Sequence, residues 1–269
     1  MKKLPHRHEL MSPTIEALNQ LGGSANTDEI YEKIVENLNL NDSLLEVING
    51  KTGQSELKYN LAWVRTILKN QGAISNVGKG IWVVGENIPI QPNARKGSKI
   101  KEADEKEADE EVADAEKWKT EVIEIITEKM SSGGFERLIQ RILREKGFSQ
   151  VEVTGKSGDG GIDGRGIAKI NGILSFHIIF QCKRIKGKVP PNYIRDFRGA
   201  MVGRTDKGLF ITTGTFTREA IREANRDGAP AIDLMDGEKL AEKLKELKLG
   251  IEVELREHIN INEKWFEDF

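Results

Sequence analysis

The run Leu174-Ser-Phe-His-Ile-Ile-Phe-Gln-Cys-Lys183, entered through the glycine-rich Ser157-Gly-Asp-Gly-Gly-Ile-Asp-Gly-Arg-Gly166, restricts this chain more than any other stretch. An apolar, β-branched and aromatic segment between Gly172 and Gly187 reads as a central β-strand. Side chains alternate along a strand, so Gln181 and Lys183 share one face while Phe180 and Cys182 point to the other. A lysine closing a largely buried strand is costly unless it has a partner or a task. Asp163 is the expected partner. The glycines around Asp159 and Asp163 let the backbone bend sharply and set carboxylates on a rigid edge.

One acid able to hold a divalent cation, a second oxygen ligand and a lysine two residues later are the parts of metal-assisted phosphodiester hydrolysis. The cation neutralises phosphate charge and activates water, while the ammonium orients that water or stabilises developing negative charge. Mg²⁺ is the expected cation because it prefers hard oxygen ligands and keeps some of its waters. An isolated Asp-Gly is most often only a turn. Here Gln181-Cys182-Lys183 and the motifs that follow weigh against that for Asp163, whereas Asp159 has the alternative role of stabilising the loop.

Gly-Gly-Ile-Asp163-Gly followed by Gln181-Cys182-Lys183 resembles the active site of PD-(D/E)XK nucleases, in the form used by Mrr-like restriction endonucleases, where Gln replaces the second acid. The resemblance continues through Phe210-Ile-Thr-Thr-Gly-Thr-Phe-Thr217 and Ile232-Asp-Leu-Met-Asp-Gly-Glu-Lys-Leu240, and covers Phe135 to Leu244. It implies an α/β domain with a mixed central sheet flanked by helices. It also implies Mg²⁺ dependence, with Mn²⁺ as a substitute, and cleavage of double-stranded DNA that leaves 5′-phosphate and 3′-hydroxyl ends. Asp163 and Gln181 are the implied metal ligands, Lys183 assists water, and Glu136 is a further metal or water ligand, with the alternative of a surface acid in a helix first turn. Gln140 is a weaker candidate for orienting substrate. His177 is expected to pack or hydrogen-bond, and Cys182 to be a small buried hydrophobe.

A basic cluster follows the strand: Lys183, Arg184, Lys186 and Lys188, then Arg195 and Arg198 on a helix after Pro190-Pro191. Beside a phosphate-cutting site, such a cluster suits backbone contacts; its other reading is a solubility feature. The helix after Thr217 offers N–H groups to a phosphate.

Preceding this domain, Ile15, Leu18 and Leu21 are at helical spacing before Gly22-Gly23. Thr27 is placed to cap a second helix and Ser55 a third through Leu57, Leu61, Val64, Ile67 and Leu68. Ile74 and Val77 to Val84 read as two short strands around Gly78-Lys79-Gly80. Three helices and a hairpin resemble the winged-helix (α+β) domain that precedes Mrr-like nucleases. Its third helix is the expected DNA reader, with Lys58, Tyr59, Asn60, Arg65, Lys69 and Asn70 as contacts and Lys79 on the wing. The alternative is that these residues form only the wet face of an amphipathic helix. Trp63 and Trp82 are expected in the core.

With 269 residues, two ordinary domains are expected: a winged-helix domain over 1–86, a charged, partly helical linker over 87–130, and the catalytic domain over 131–269. Residues 101–116 carry nine acids and two lysines, a net of −7 against −2 for the whole chain, which leaves the remainder at +5. Charge acts locally, so the acidic total does not argue against DNA. The acidic segment reads as a solvated helical spacer, with imitation of DNA over a basic cleft as the sharper alternative. No apolar run reaches about 18 residues and the start shows no basic-then-apolar leader. Together with the single Cys182, this gives the expectation of a soluble cytoplasmic protein.

The resulting expectation is a restriction endonuclease of type II or type IV, acting as a homodimer or a transient dimer on DNA, with any requirement for methylated bases left open. A structure-selective repair nuclease and an inactive DNA-binding regulator are the competing readings.

Overall fold

The computed structural model describes residues 3–50, 55–78, 80–85, 102–154, 161–170, 173–205 and 207–254. Lys79, Asp159, the linker residues 87–101 and the tail 255–269 lie outside them. The chain divides into two compact units, Met1–Glu121 and Val122–Phe269.

The first unit runs α1 (Met11–Gln20), β1 (Ser24–Asn26), α2 (Thr27–Asn37), α3 (Asp42–Leu45), α4 (Glu56–Asn70), β2 (Ile74–Asn76), β3 (Ile81–Val84) and the beginning of α5 (Glu102–Lys129). The three strands form an antiparallel sheet in the order β1-β3-β2. The order is helix, strand, three helices and a hairpin, one short helix (α3) more than the three helices and hairpin expected. β1 was not legible as a strand, because Ser-Ala-Asn lacks β-branched or aromatic residues; pairing of Ser24 with Val83 makes it one. Asn26, not Thr27, caps α2: its side chain accepts from Glu29 N, and Glu29 returns the bond, a capping box. Ser55 precedes α4 as expected but its hydroxyl bonds to Leu45 O at 3.2 Å. The core contains Leu18, Ile30, Ile34, Leu57, Leu61 and Trp63, each at most 1% exposed. Burying each such side chain is worth about 1.5–3 kcal/mol.

The acidic helix is not a free spacer. Ala108 and Val112 of α5 are 1% and 4% exposed and belong to that core. Trp63 Nε1 donates to Glu105 O at 3.3 Å, Arg7 Nη1 to Asp109 Oδ1 at 2.6 Å, and His8 Nε2 lies 3.2 Å from Glu105 Oε1. A run that is polar in composition still presents one small apolar stripe, and that stripe packs.

The second unit takes the last turns of α5, then α6 (Ser132–Glu145), β4 (Ser149–Val153), β5 (Gly164–Ile170), β6 (Leu174–Lys183), β7 (Lys188–Val189), α7 (Pro191–Met201), β8 (Lys207–Thr212), β9 (Thr215–Phe216), α8 (Arg218–Ala224), β10 (Ala231–Met235) and α9 (Gly237–Glu246). Its main sheet has the order β10-β8-β6-β5-β4. β4, β5 and β6 are antiparallel neighbours, whereas β6, β8 and β10 are parallel. This is the mixed, helix-flanked α/β sheet expected of a PD-(D/E)XK nuclease. Phe180 and Ile211 face one side with Phe135, Ile139 and Leu240, while Ile179 and Phe210 face the other with Ile194, Phe197 and Met201. β5 approaches its neighbours so closely at Gly164 that a Cβ there would stand 2.4 Å from Glu152 O. Any side chain at that position displaces backbone.

α6 starts at Ser132, ahead of the expected Phe135, because Ser131 caps it by accepting from Gly134 N at 3.1 Å. No helix among the described residues is long and apolar enough to cross a membrane.

Candidate active site

The antiparallel register of β5 and β6 places Gly164 opposite Phe180, so Asp163 arrives beside the Gln181-Cys182-Lys183 end of β6. Asp163 N donates to Phe180 O at 3.0 Å, and its carboxylate Oδ2 accepts from Cys182 N at 2.6 Å. The acid is thus fixed to the backbone between the two residues with which it was expected to act. Such a bond to a backbone amide orients one carboxylate oxygen.

Gln181 is 8% exposed. Its amide Nε2 is turned toward Gly161, where an added Cβ would stand only 2.5 Å away, and Gly161 has φ +85°. Gly161→Ala therefore combines a left-handed backbone strained for an L residue with a direct clash against Gln181. Cleavage is expected to fall at least ~10-fold with Gly161→Ala, read in single-turnover assays, because a displacement near 1 Å is enough for such losses. A variant cutting at the wild-type rate would show that Gln181 tolerates displacement.

Lys183 is half-buried, but its partner is not the expected Asp163: its Nζ stands over the ring of Tyr193 on α7, 4.5 Å from the centroid. Tyr193 was missed from sequence because ten residues and a turn separate it from the lysine. Glu136, on the first turns of α6, is half-buried. Burial, then the Asp163 and Glu136 carboxylates, push the Cys182 thiol well above its usual value, so both acids act on the same point of β6. Cys182 packs with the α6 side of the core, as expected. Gln140 is a structural link, its Nε2 donating to Val151 O at 2.9 Å. His177 is exposed rather than packed; its carbonyl accepts from Thr205 Oγ1 at 2.5 Å.

For a divalent cation the donors on offer are hard oxygens of Asp163, Gln181 and Glu136. Among the described residues no group of three or more His, Cys, Asp or Glu side chains could hold a metal ion. A site in which an amide replaces one acid has that composition, and the close fit of Gln181 against Gly161 gives the amide a defined place. The residues present fit Mg²⁺, a cation that keeps several of its waters and needs few protein ligands.

The basic cluster divides. Lys186, Lys188 and Arg195 are exposed. Lys186 pairs with Glu128 at 2.8 Å across the surface, which leaves it available because such pairs are weak. Arg184 instead closes the end of α5: Nη1 donates to Thr127 O at 3.1 Å and to Met130 O, and Nη2 to Ser132 Oγ at 3.2 Å. Arg198 is not a phosphate contact. It is 6% exposed, donates to Pro230 O and Glu223 O and, at 3.3 Å, to Ala224 O, and lies 3.6 Å from the Glu223 carboxylate.

The expected reader helix of the first unit is also largely covered. Tyr59 and Asn60 are 4% and 9% exposed, Lys58 Nζ lies 5.9 Å from the Tyr31 ring, and Arg65 lies 5.6 Å from that of Trp82. Only Lys69 and Asn70 of the six candidates on α4 are exposed. Tyr59 Oη donates to Asp109 Oδ1 of α5 at 3.1 Å. Burial first, and then Asp109, push its phenol up to about 12. The phenol is therefore protonated in folded and unfolded chains below about pH 10, and this contribution to stability is lost as pH rises from about 10 toward 12. Tyr59→Phe is expected to flatten that alkaline loss, measured as urea midpoints on either side of the window.

Residues 127–244 match the restriction endonuclease catalytic model of the Mrr family, and residues 8–87 match the Mrr N-terminal domain. Over 100 residues the chain is 31% identical to an uncharacterized mitochondrial protein of Schizosaccharomyces pombe, in a match covering 36% of this chain and 40% of that protein. The match thus spans about two fifths of the relative's length. Among solved structures, the DNA modification-dependent restriction endonuclease AspBHI is similar at 20% identity and a TM-score of 0.43, over 49% of this chain and 36% of that one.

Proposed function

The chain belongs to the Mrr family of restriction endonucleases, and from that premise we propose a Mg²⁺-dependent enzyme that hydrolyses phosphodiester bonds of duplex foreign DNA. The observation that carries this reading is the Asp163 carboxylate held at 2.6 Å on the amide of Cys182, between Gln181 and Lys183. Asp163 and Gln181, with Glu136, would hold the cation, which supplies charge neutralisation at the phosphate and a lowered pKa for its bound water.

The protein's own part is orientation and charge. The Cys182 amide keeps one Asp163 oxygen turned inward to the strand end. Lys183 offers a fixed positive charge to the attacking water and to the negative charge that grows on the phosphate. Lys186, Lys188 and Arg195, all exposed, would take flanking phosphates, each neutralised phosphate releasing condensed cations. Water displaces the 3′ oxygen, leaving 5′-phosphate and 3′-hydroxyl ends. One site cuts one strand, so double-strand cleavage takes two copies of the chain, as a homodimer or paired transiently on DNA. A requirement for methylated bases would make the enzyme type IV; an unmodified target would make it type II.

The test is cleavage of matched methylated and unmethylated plasmids with Mg²⁺, by the wild type and by Lys183→Ala. Cutting of the methylated plasmid alone, lost in the variant, supports a modification-dependent nuclease. Cutting of both supports a type II enzyme. Failure of the wild type on both, with DNA binding intact, overturns the nuclease reading in favour of a DNA-binding regulator.

A further inference from the structure

We propose that Tyr193 is a positioning residue for Lys183, a role that rests on the nuclease reading of the Asp163 site. A lysine ammonium is a point charge on a four-carbon stem with large rotamer freedom, so a catalytic lysine needs something to define its direction. No ion pair does this among the described residues; the ring face of Tyr193, 4.5 Å from Nζ, does. That distance is well inside the range in which an aromatic face attracts a cation.

The ring is held on a fixed platform. α7 opens at Pro190-Pro191, where the constrained proline backbone suits a first turn, and the next residue is Asn192 before Tyr193 itself. Immediately after Tyr193, Ile194 is fully buried, as is Phe197 one turn on. Upstream, Val189 is fully buried and paired with Phe216 in the small β7–β9 sheet. The segment carrying Tyr193 is thus anchored on both sides, and the half-buried ring limits the arcs open to Lys183 without neutralising its charge. An acidic partner in the same place would spend that charge. An aromatic face leaves it available to the phosphate.

The experiment compares Tyr193→Phe, which keeps the ring face, with Tyr193→Leu, which keeps bulk but no π-system. Single-turnover cleavage at saturating DNA is expected to slow about tenfold in Tyr193→Leu and to stay within about twofold of wild type in Tyr193→Phe. DNA affinity and thermal midpoint are expected to stay near wild type in both. Equal losses in the two variants would assign the effect to the hydroxyl and overturn the proposal, as would unimpaired cleavage in Tyr193→Leu.

A second readout is independent of activity. In protein carrying ¹³C-lysine, the Lys183 Hε signals, assigned by their loss in Lys183→Arg, are expected upfield in wild type and Tyr193→Phe and at ordinary positions in Tyr193→Leu. Absence of that ring-current shift in the wild type overturns the proposal whether or not the protein cuts DNA. Its presence in a protein that cuts nothing would leave the lysine–ring contact standing and remove only the nuclease reading.

Discussion

Asp163→Asn is expected to lower cleavage by roughly 10³-fold while leaving the fold and duplex binding near wild type. Asparagine has nearly the same shape, and its Oδ1 can still accept from the Cys182 amide that holds the carboxylate at 2.6 Å. What disappears is the charge. The variant should therefore also lose Mg²⁺ binding by calorimetry, whereas Lys183→Ala should lose cleavage and retain it. This separation is the useful part of the pair: one substitution removes cation capture, the other removes the ammonium. Cleavage by Asp163→Asn at the wild-type rate would place the metal elsewhere.

The second large effect falls on stability. Arg198→Ala is expected to cost about 3–5 kcal/mol, the range for removing one member of a buried ion pair. Glu223, whose side chain is 12% exposed, would lose its one buried counter-charge among the described residues and keep only the exposed Arg226 at 3.6 Å and Arg195 at 3.9 Å, and the carbonyls of Pro230, Glu223 and Ala224 would lose donors. Arg198→Lys should recover little, because an ammonium cannot reproduce the planar fork that reaches several carbonyls. Urea denaturation measures the loss. The contrast with Arg195, 54% exposed, is direct: Arg195→Ala should leave the midpoint alone and reduce the salt dependence of DNA affinity by about one unit of slope. A normal midpoint for Arg198→Ala would contradict the structural role.

The same pair shows how far the sequence could be read. On α7, Ile194, Phe197 and Met201 mark the buried stripe, and Arg198 lies within it, one residue from Phe197 and four from Ile194. Helical spacing thus marks Arg198 as core-facing, whatever its charge. That Asp163 meets the Gln181–Lys183 end of β6 was legible because strand alternation and an antiparallel return are local rules, and the register of β5 and β6 follows them. The cover over Tyr59 was not legible. It comes from Asp109 and its neighbours on α5, about fifty residues away, and no periodicity within α4 distinguishes a face meeting water from one meeting a distant helix. Lys183 lies between these cases: the need for a partner could be inferred from its position, but the identity of that partner depends on where α7 begins.

Cys182 is the chain's single cysteine, and it sits at the centre of the β6 strand end, its thiol made reluctant to ionise by burial and by Asp163 and Glu136. Since the thiolate is the form that alkylating reagents attack, the folded site should react slowly and the opened site at the rate of an ordinary thiol. The ratio of those rates is a local opening equilibrium for the catalytic strand, obtained without introducing a label or altering a residue. DNA that closes over Asp163 would register as further protection of the sulfur in the residue whose amide holds that carboxylate.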